Sequence, residues 1–172
     1  MYYRNRYDRT GECSTMGENA ETLFKKLLVK LGDVDEARID GQLTHIDFIL
    51  KRNDKPALKY EVKSRKKVRR SDLRVTDDTI WVEFSNVMGD RGWLYGNADY
   101  MAFERELDFV IVERSALVKM AEEKCKLFPL VRFSEEALYR GYQRKGRSDL
   151  LSMVRMSDII DVAEEIWPKD LK

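Results

Sequence analysis

The sequence predicts one α/β domain built on a mixed central β-sheet flanked by helices. Three observations lead there. Apolar residues near the N-terminus recur at the 3.6-residue spacing of a helix, the segments that follow switch to the period of two that a strand imposes, and both periods then alternate to the C-terminus. No internal repeat, low-complexity stretch or linker interrupts them. At 172 residues the chain suits a single domain able to bury a core without cross-links.

Taken in order, MGENAETLFKKLLVKLG places Ala20, Leu23, Phe24, Leu27, Leu28 and Leu31 on one helical stripe. Ser14 and Thr15 are its N-cap candidates and Gly32 its C′ residue, which makes a helix of about 16 residues. Ile46, Phe48 and Leu50 then alternate with His45, Asp47 and Ile49. Asn53-Asp54-Lys55-Pro56 supplies turn chemistry, after which Leu58, Tyr60 and Val62 alternate with Lys59, Glu61 and Lys63. These are expected to be adjacent antiparallel strands. TIWVEFSNV, residues 79–87, repeats the alternation, and ADYMAFE with DFVIVE forms a hairpin. SALVKMAEEKCKL is a helix capped by Ser115, LYRGYQRKGRSDLLSMVRM a hairpin turning near Lys145-Gly146, and SDIIDVAEEIW a last helix capped by Ser157.

A hydrophobic content of 43% excludes a disordered chain, and no run of 18 apolar residues suggests a membrane span. Cys13 and Cys125 belong to no metal-binding or disulfide pattern, and MYYRNRYDRT has no apolar leader core, so a cytoplasmic protein is expected. The net charge of +1 gives no bulk attraction to nucleic acid. Its distribution is uneven. Between Lys59 and Arg74 eight cations face two acids, a local charge of +6, and Arg140, Arg144, Lys145 and Arg147 form a second cluster. Asp158, Asp161, Glu164 and Glu165 collect on the expected last helix. Either basic cluster alone reads most simply as a solvated face.

Residues two apart on a strand share a face, so Glu61 and Lys63 point together and Val62 points oppositely, into the core. The same alternation sets Asp47 opposite Ile46 and Phe48. If both strands bury their apolar residues on one layer, Asp47, Glu61 and Lys63 converge on the other. Such a group suits phosphodiester hydrolysis: carboxylate oxygens match the hard Mg²⁺ ion, and an ammonium can orient water or offset charge building on phosphorus. Mutual repulsion of the carboxylates implies that removing Asp47 or Glu61 raises the melting temperature slightly. Glu-x-Lys alone is a weak signal, more often an exposed face with a modest ion pair. Glu122-Glu123-Lys124 repeats it on an expected helix, where residues two apart diverge.

HIDFILKRNDKPALKYEVKSRKK resembles the core of the PD-(D/E)XK nuclease superfamily, an Asp on one strand and Glu-x-Lys on the next, with 13 residues between Asp47 and Glu61. GENAETLFKKLLVKLG is similar to a helix of archaeal Holliday-junction resolvases and their small bacterial relatives, which brings a further carboxylate to the metal site. The resemblance covers roughly residues 17–67, while 79–172 do not match the resolvases closely. Ile46 stands at the family's Pro, and His45 where the bacterial relatives often carry Glu. WVEFSNVMGDRGWLYGNADYMAFE is similar to small phage-encoded proteins and motivates no residue assignment.

The resemblance implies a restriction-endonuclease-like core and a metal-dependent DNA endonuclease. Asp47 and Glu61 would hold Mg²⁺, with Mn²⁺ as substitute, Lys63 would handle water and charge, and Glu21 would complete the outer coordination, with Glu18 as second choice. Arg65, Lys66, Lys67, Arg69 and Arg70 would grip phosphates of DNA, the expected partner, and a homodimer is compatible with this reading. The alternative is a catalytically silent nucleic-acid-binding module on the same fold. His45 reads as a polar strand residue or a water-handling group, and Glu83 as a cross-strand partner of Lys63 or Lys59 or a metal contact. Trp81, Trp93 and Tyr95 read as core packing or as base-stacking groups.

Overall fold

The structure, a computed structural model, describes residues 12–37, 44–67, 72 and 74–170. Helix α1 spans Glu12–Leu28. Strands β1 (Asp33–Glu36), β2 (Phe48–Lys51), β3 (Leu58–Lys63) and β4 (Thr79–Ser85) follow, then a 3₁₀ turn at Trp93–Tyr95 and the hairpin β5 (Tyr100–Glu104) and β6 (Asp108–Glu113). Helix α2 (Arg114–Lys124), strands β7 (Lys126–Val131), β8 (Arg140–Tyr142) and β9 (Leu150–Arg155), helix α3 (Met156–Asp161) and strand β10 (Glu165–Pro168) complete the chain.

The strands form two sheets. One is six-stranded and mixed, in the order β1-β2-β3-β5-β6-β10, with β3 and β5 parallel and the other pairs antiparallel. The other is four-stranded, β4-β9-β8-β7. Helix α1 lies on one face of the six-stranded sheet, where Ala20, Phe24, Leu27 and Leu28 pack with Phe48, Leu50, Tyr60, Val62, Ala102, Phe109 and Ile111. The opposite face carries Met101, Phe103, Val110 and Val112, which pack with Ile80, Val82 and Phe84 of β4 and with apolar residues of α2 and α3. Central strands are therefore covered on both sides, which is why β5 and β6 read as near-continuous apolar runs.

The mixed sheet, α1, the β2–β3 pair, the β5–β6 hairpin and the β8–β9 hairpin agree with expectation. Other details differ: the strands divide between two sheets where one was expected, and SALVKMAEEKCKL leaves the helix at Lys124, with Lys126 and Leu127 opening β7. Helix α1 begins before Ser14 and Thr15, which lie inside it and do not cap it. It ends at Leu28, and Gly32 serves close approach instead: a Cβ there would stand 2.4 Å from the Lys51 carbonyl oxygen of β2. Ser115 lies within α2, its hydroxyl donating to the Glu113 carboxylate at 2.6 Å. Ser157 likewise falls inside α3, which ends at Asp161. The following EIWP pairs with β6 because Trp167, opposite Phe109, stacks on Phe24 at 5.6 Å between ring centroids. The acids gathered there are thus not one helical face, and Asp158 is buried, receiving hydrogen bonds from Lys124 and Tyr139. Among the described residues no helix is long and apolar enough to cross a membrane.

Candidate active site

Strand β3 lies between β2 and β5, so its side chains alternate between two covered faces. Tyr60 and Val62 join the α1 layer. Glu61 and Lys63, opposite Met101 and Phe103 of β5, face the four-stranded sheet. The shared face expected of Glu61 and Lys63 is present, but it is not an open polar surface: Glu61 is only 2% exposed. An ionised carboxylate so deep requires partners. Oε1 pairs with the Lys63 ammonium and lies 3.4 Å from His45 Nδ1, while Oε2 accepts from Arg114 Nη2 at 2.8 Å. Burial pushes the Glu61 carboxyl up, but Lys63 and the hydrogen bonds from His45, Lys63 and Arg114 outweigh it and hold the group below its ordinary range.

Asp47 directly precedes β2. Its backbone N–H donates to the Tyr60 carbonyl at 2.8 Å, and its Oδ2 accepts from the Val62 N–H at 2.7 Å. The carboxylate thus occupies a donor at the end of the β2–β3 ladder and closes the pairing beside Glu61. Burial raises the Asp47 carboxyl, the Val62 N–H and Lys63 oppose that, and Glu61 adds repulsion. Glu21, half-buried on α1, is pushed up to about 7 by burial and then by the Asp47 charge, against the pull of Lys63. Glu18, the second choice on that helix, is exposed. Glu21, Asp47 and Glu61 therefore lie within one electrostatic neighbourhood centred on Lys63.

Glu83 joins it from another sheet. Strand β4 pairs with β9, placing Glu83 opposite Leu151, so it is not a cross-strand partner of Lys63 or Lys59. Its Oε1 accepts from the Trp93 N–H at 3.4 Å. Burial raises its carboxyl, opposed first by the charge of Lys63. His45 occupies a turn at φ 60° and rests on Gly96, where a Cβ would stand 2.6 Å from the His45 Cβ, so only glycine leaves room for the imidazole. Trp93 is buried in the core beside Phe103, with Lys63 Nζ 5.0 Å from its ring centroid, and Trp81 packs on Tyr142. Tyr95 is half-buried, donates its hydroxyl to Glu122 and carries Arg91 over its ring.

Of the expected phosphate-gripping residues, Arg65 is engaged by Asp77 at 2.5 Å and by Glu106 at 3.7 Å. Lys66 bridges Thr76 through the backbone, and Lys66 and Lys67 both have side-chain or backbone partners of their own. Arg69 and Arg70 lie outside the described residues. In the second basic cluster, Arg144 pairs with the buried Asp149.

Arg114 is the residue that sequence reasoning missed. It is the first residue of α2 and 8% exposed, and its side chain meets Glu61 across 53 positions of sequence. No periodicity or motif marks an Arg at a strand-to-helix junction as the counter-ion of a distant Glu. Among the described residues no three His, Cys, Asp or Glu side chains stand at metal-chelating spacing. The donor set nonetheless suits a hard cation held by one or two carboxylates with water completing its shell, since Asp47 and Glu21 repel each other and are only partly offset by Lys63. No protein-family model, curated protein or solved structure matches the chain.

Proposed function

We propose that the protein is a metal-dependent endonuclease that hydrolyses phosphodiester bonds in DNA. The observation carrying this reading is the gathering of Asp47, Glu61 and Lys63, from the residue before β2 and from the middle and end of β3, with Glu21 of α1 within electrostatic reach of Asp47 and Lys63. An Asp at the end of one strand with Glu-x-Lys on its antiparallel neighbour also supports a restriction-endonuclease-like core.

Asp47 and Glu61 would hold Mg²⁺ or Mn²⁺, and Glu21 would anchor its water shell. The ion, when bound, supplies a Lewis acid for the phosphoryl oxygen and a more acidic water. Lys63 contributes a fixed ammonium that donates to a water or to the phosphate oxygen on which negative charge grows. Trp93 beneath that ammonium, and Glu61 beside it, restrict where it can point. Arg65, Lys66, Lys67, Arg69 and Arg70 would carry the flanking phosphates, although Arg65 must share its guanidinium with Asp77.

One observation favours a second reading, the catalytically silent nucleic-acid-binding module: both Glu61 oxygens already have cationic partners. Incubating the protein with single-stranded, duplex and branched DNA in Mg²⁺, Mn²⁺ or chelator separates the two. The nuclease reading expects cleavage with metal only, abolished in Asp47→Ala, and in Lys63→Ala a steep loss of rate at nearly unchanged DNA affinity measured in Ca²⁺. DNA binding without cleavage in either metal would leave the silent module.

A further inference from the structure

Arg114 follows β6 directly, and its backbone N–H is fixed to the Asp99 carbonyl at 2.9 Å. Its guanidinium meets four acceptors. Nε donates to the Ala98 carbonyl at 2.7 Å, Nη1 to the carbonyls of Trp93 and of Leu94, the latter at 3.1 Å, and Nη2 to Glu61 Oε2 at 2.8 Å. Only one of these four acceptors is an anion. The three carbonyls belong to the segment joining β4 to β5, so a planar, rigid fork is held from one side and presented to Glu61 from the other. Meanwhile Glu61 Oε1 faces Lys63 and His45.

We infer that Arg114 is a positioning residue for Glu61: by holding Oε2 it fixes the plane of the carboxylate, so that a divalent cation, exchanging with the Lys63 ammonium, meets Oε1 alone. This rests on the metal-dependent reading of the site and adds to it that Glu61 binds through one oxygen. Bidentate binding by Glu61 would require breaking its bond to Arg114. A lysine cannot replace the fork, because a point charge on a flexible stem cannot serve three carbonyls and a carboxylate in one plane. Loss of a partner that orients a ligand weakens metal binding by about 10–100-fold.

The test is Mn²⁺ binding to the full chain, followed by calorimetry and by the electron paramagnetic resonance signal of free Mn²⁺, beside thermal melts. Arg114→Gln is expected to lose about 10-fold or more in Mn²⁺ affinity, with Arg114→Lys between it and the wild type. Leu94→Ala is the structural control. Leu94 is fully buried in the same segment, and truncating it keeps its carbonyl, so the melting temperature should fall while Mn²⁺ affinity stays within about twofold. The inference is overturned if folded Arg114→Gln binds Mn²⁺ as tightly as wild type, or if Leu94→Ala loses as much affinity as it does. Should Arg114→Gln not fold, Arg114→Lys is judged by the same comparison. A wild-type protein that binds no Mn²⁺, or Glu61→Gln that binds it normally, removes the metal reading itself and this inference with it. That pattern differs from failure at Arg114 alone.

Discussion

The carboxylates of the site fall into two electrostatic kinds, and each implies a different response to substitution. Glu61 is a buried anion held by Lys63, His45 and Arg114 and kept below its ordinary range, whereas Asp47 and Glu21 are raised by burial and by neighbouring charge. The slight stabilisation expected from removing either Asp47 or Glu61 therefore survives only for Asp47. Glu61→Gln leaves the Arg114 charge buried without its counter-ion and should cost about 3 kcal/mol, a fall in melting temperature of roughly 6–12 °C for a chain this long. Asp47→Asn, whose amide oxygen can still accept the Val62 N–H, should melt at or slightly above wild type. Equal shifts for the two in thermal melts would contradict the division. Glu21 adds a pH dependence. Its folded value of about 7 stands above the ordinary 4.5, so the folded chain binds more protons than the unfolded one between those values. Stability must fall as pH rises through that window, by about 1 kcal/mol once screening at a half-exposed group is allowed for. Melts from pH 4.5 to 8 should show this loss in wild type and not in Glu21→Gln; parallel curves would mean that Glu21 is not strained by its neighbours.

At the scale of elements, what was legible in the sequence is what local periodicity encodes. The alternation around Phe48 and Tyr60 identified a pair whose register the structure gives as Phe48 opposite Tyr60, and that register alone brings Asp47 beside Glu61. The stripe of Ala20, Phe24, Leu27 and Leu28 similarly implied which face of α1 packs. What was not legible depends on contacts far apart in the chain. The pattern of β4, with Ile80, Val82 and Phe84 buried, is the same whether it extends the first sheet or starts a second, because a period of two reports one buried face and not the partner strand. Glu83 consequently reaches Lys63 across the layer instead of along a sheet. EIWP reads as a helical continuation until the aromatic contact of Trp167 with Phe24 decides for a strand, a tertiary override of local preference. The helix starts expected at Ser115 and Ser157 differ for a common reason: both helices follow directly from a strand, so the strand's own last residue, Glu113 or Arg155, occupies the N-cap position.

Across the whole molecule, charge is nearly balanced in number and unevenly placed. The proposed DNA reading depends on that placement, because a net charge of +1 cannot by itself hold a polyanion. The cations after Glu61 are not equivalent. Arg65 is held by Asp77 and Glu106, and its backbone N–H by Glu104 at 3.3 Å, so it ties the end of β3 to the acids around the β5–β6 hairpin. Its removal should act on stability as well as on binding. Lys66 and Lys67 sit one and two residues further on, half-buried and with partners, on the segment that bridges to Thr76 before β4. Lys63 differs again, since its ammonium is held by Glu61 over Trp93, and the proposed reaction places it in the site itself. These roles separate in a salt titration. Each ammonium that neutralises a phosphate contributes about 0.9 to the slope of log affinity against log salt on duplex DNA, so Lys66→Gln with Lys67→Gln should reduce that slope by up to about 2, the full value requiring both to exchange their present partners for phosphate, and weaken binding to all sequences alike. Arg65→Gln should reduce it by less than about 1 while lowering the melting temperature, and Lys63→Ala should leave it nearly unchanged. A slope that falls equally for Lys63→Ala and for the lysine pair would make residues 63–67 one continuous phosphate-binding strip, and Lys63 would then have no separate part in cleavage.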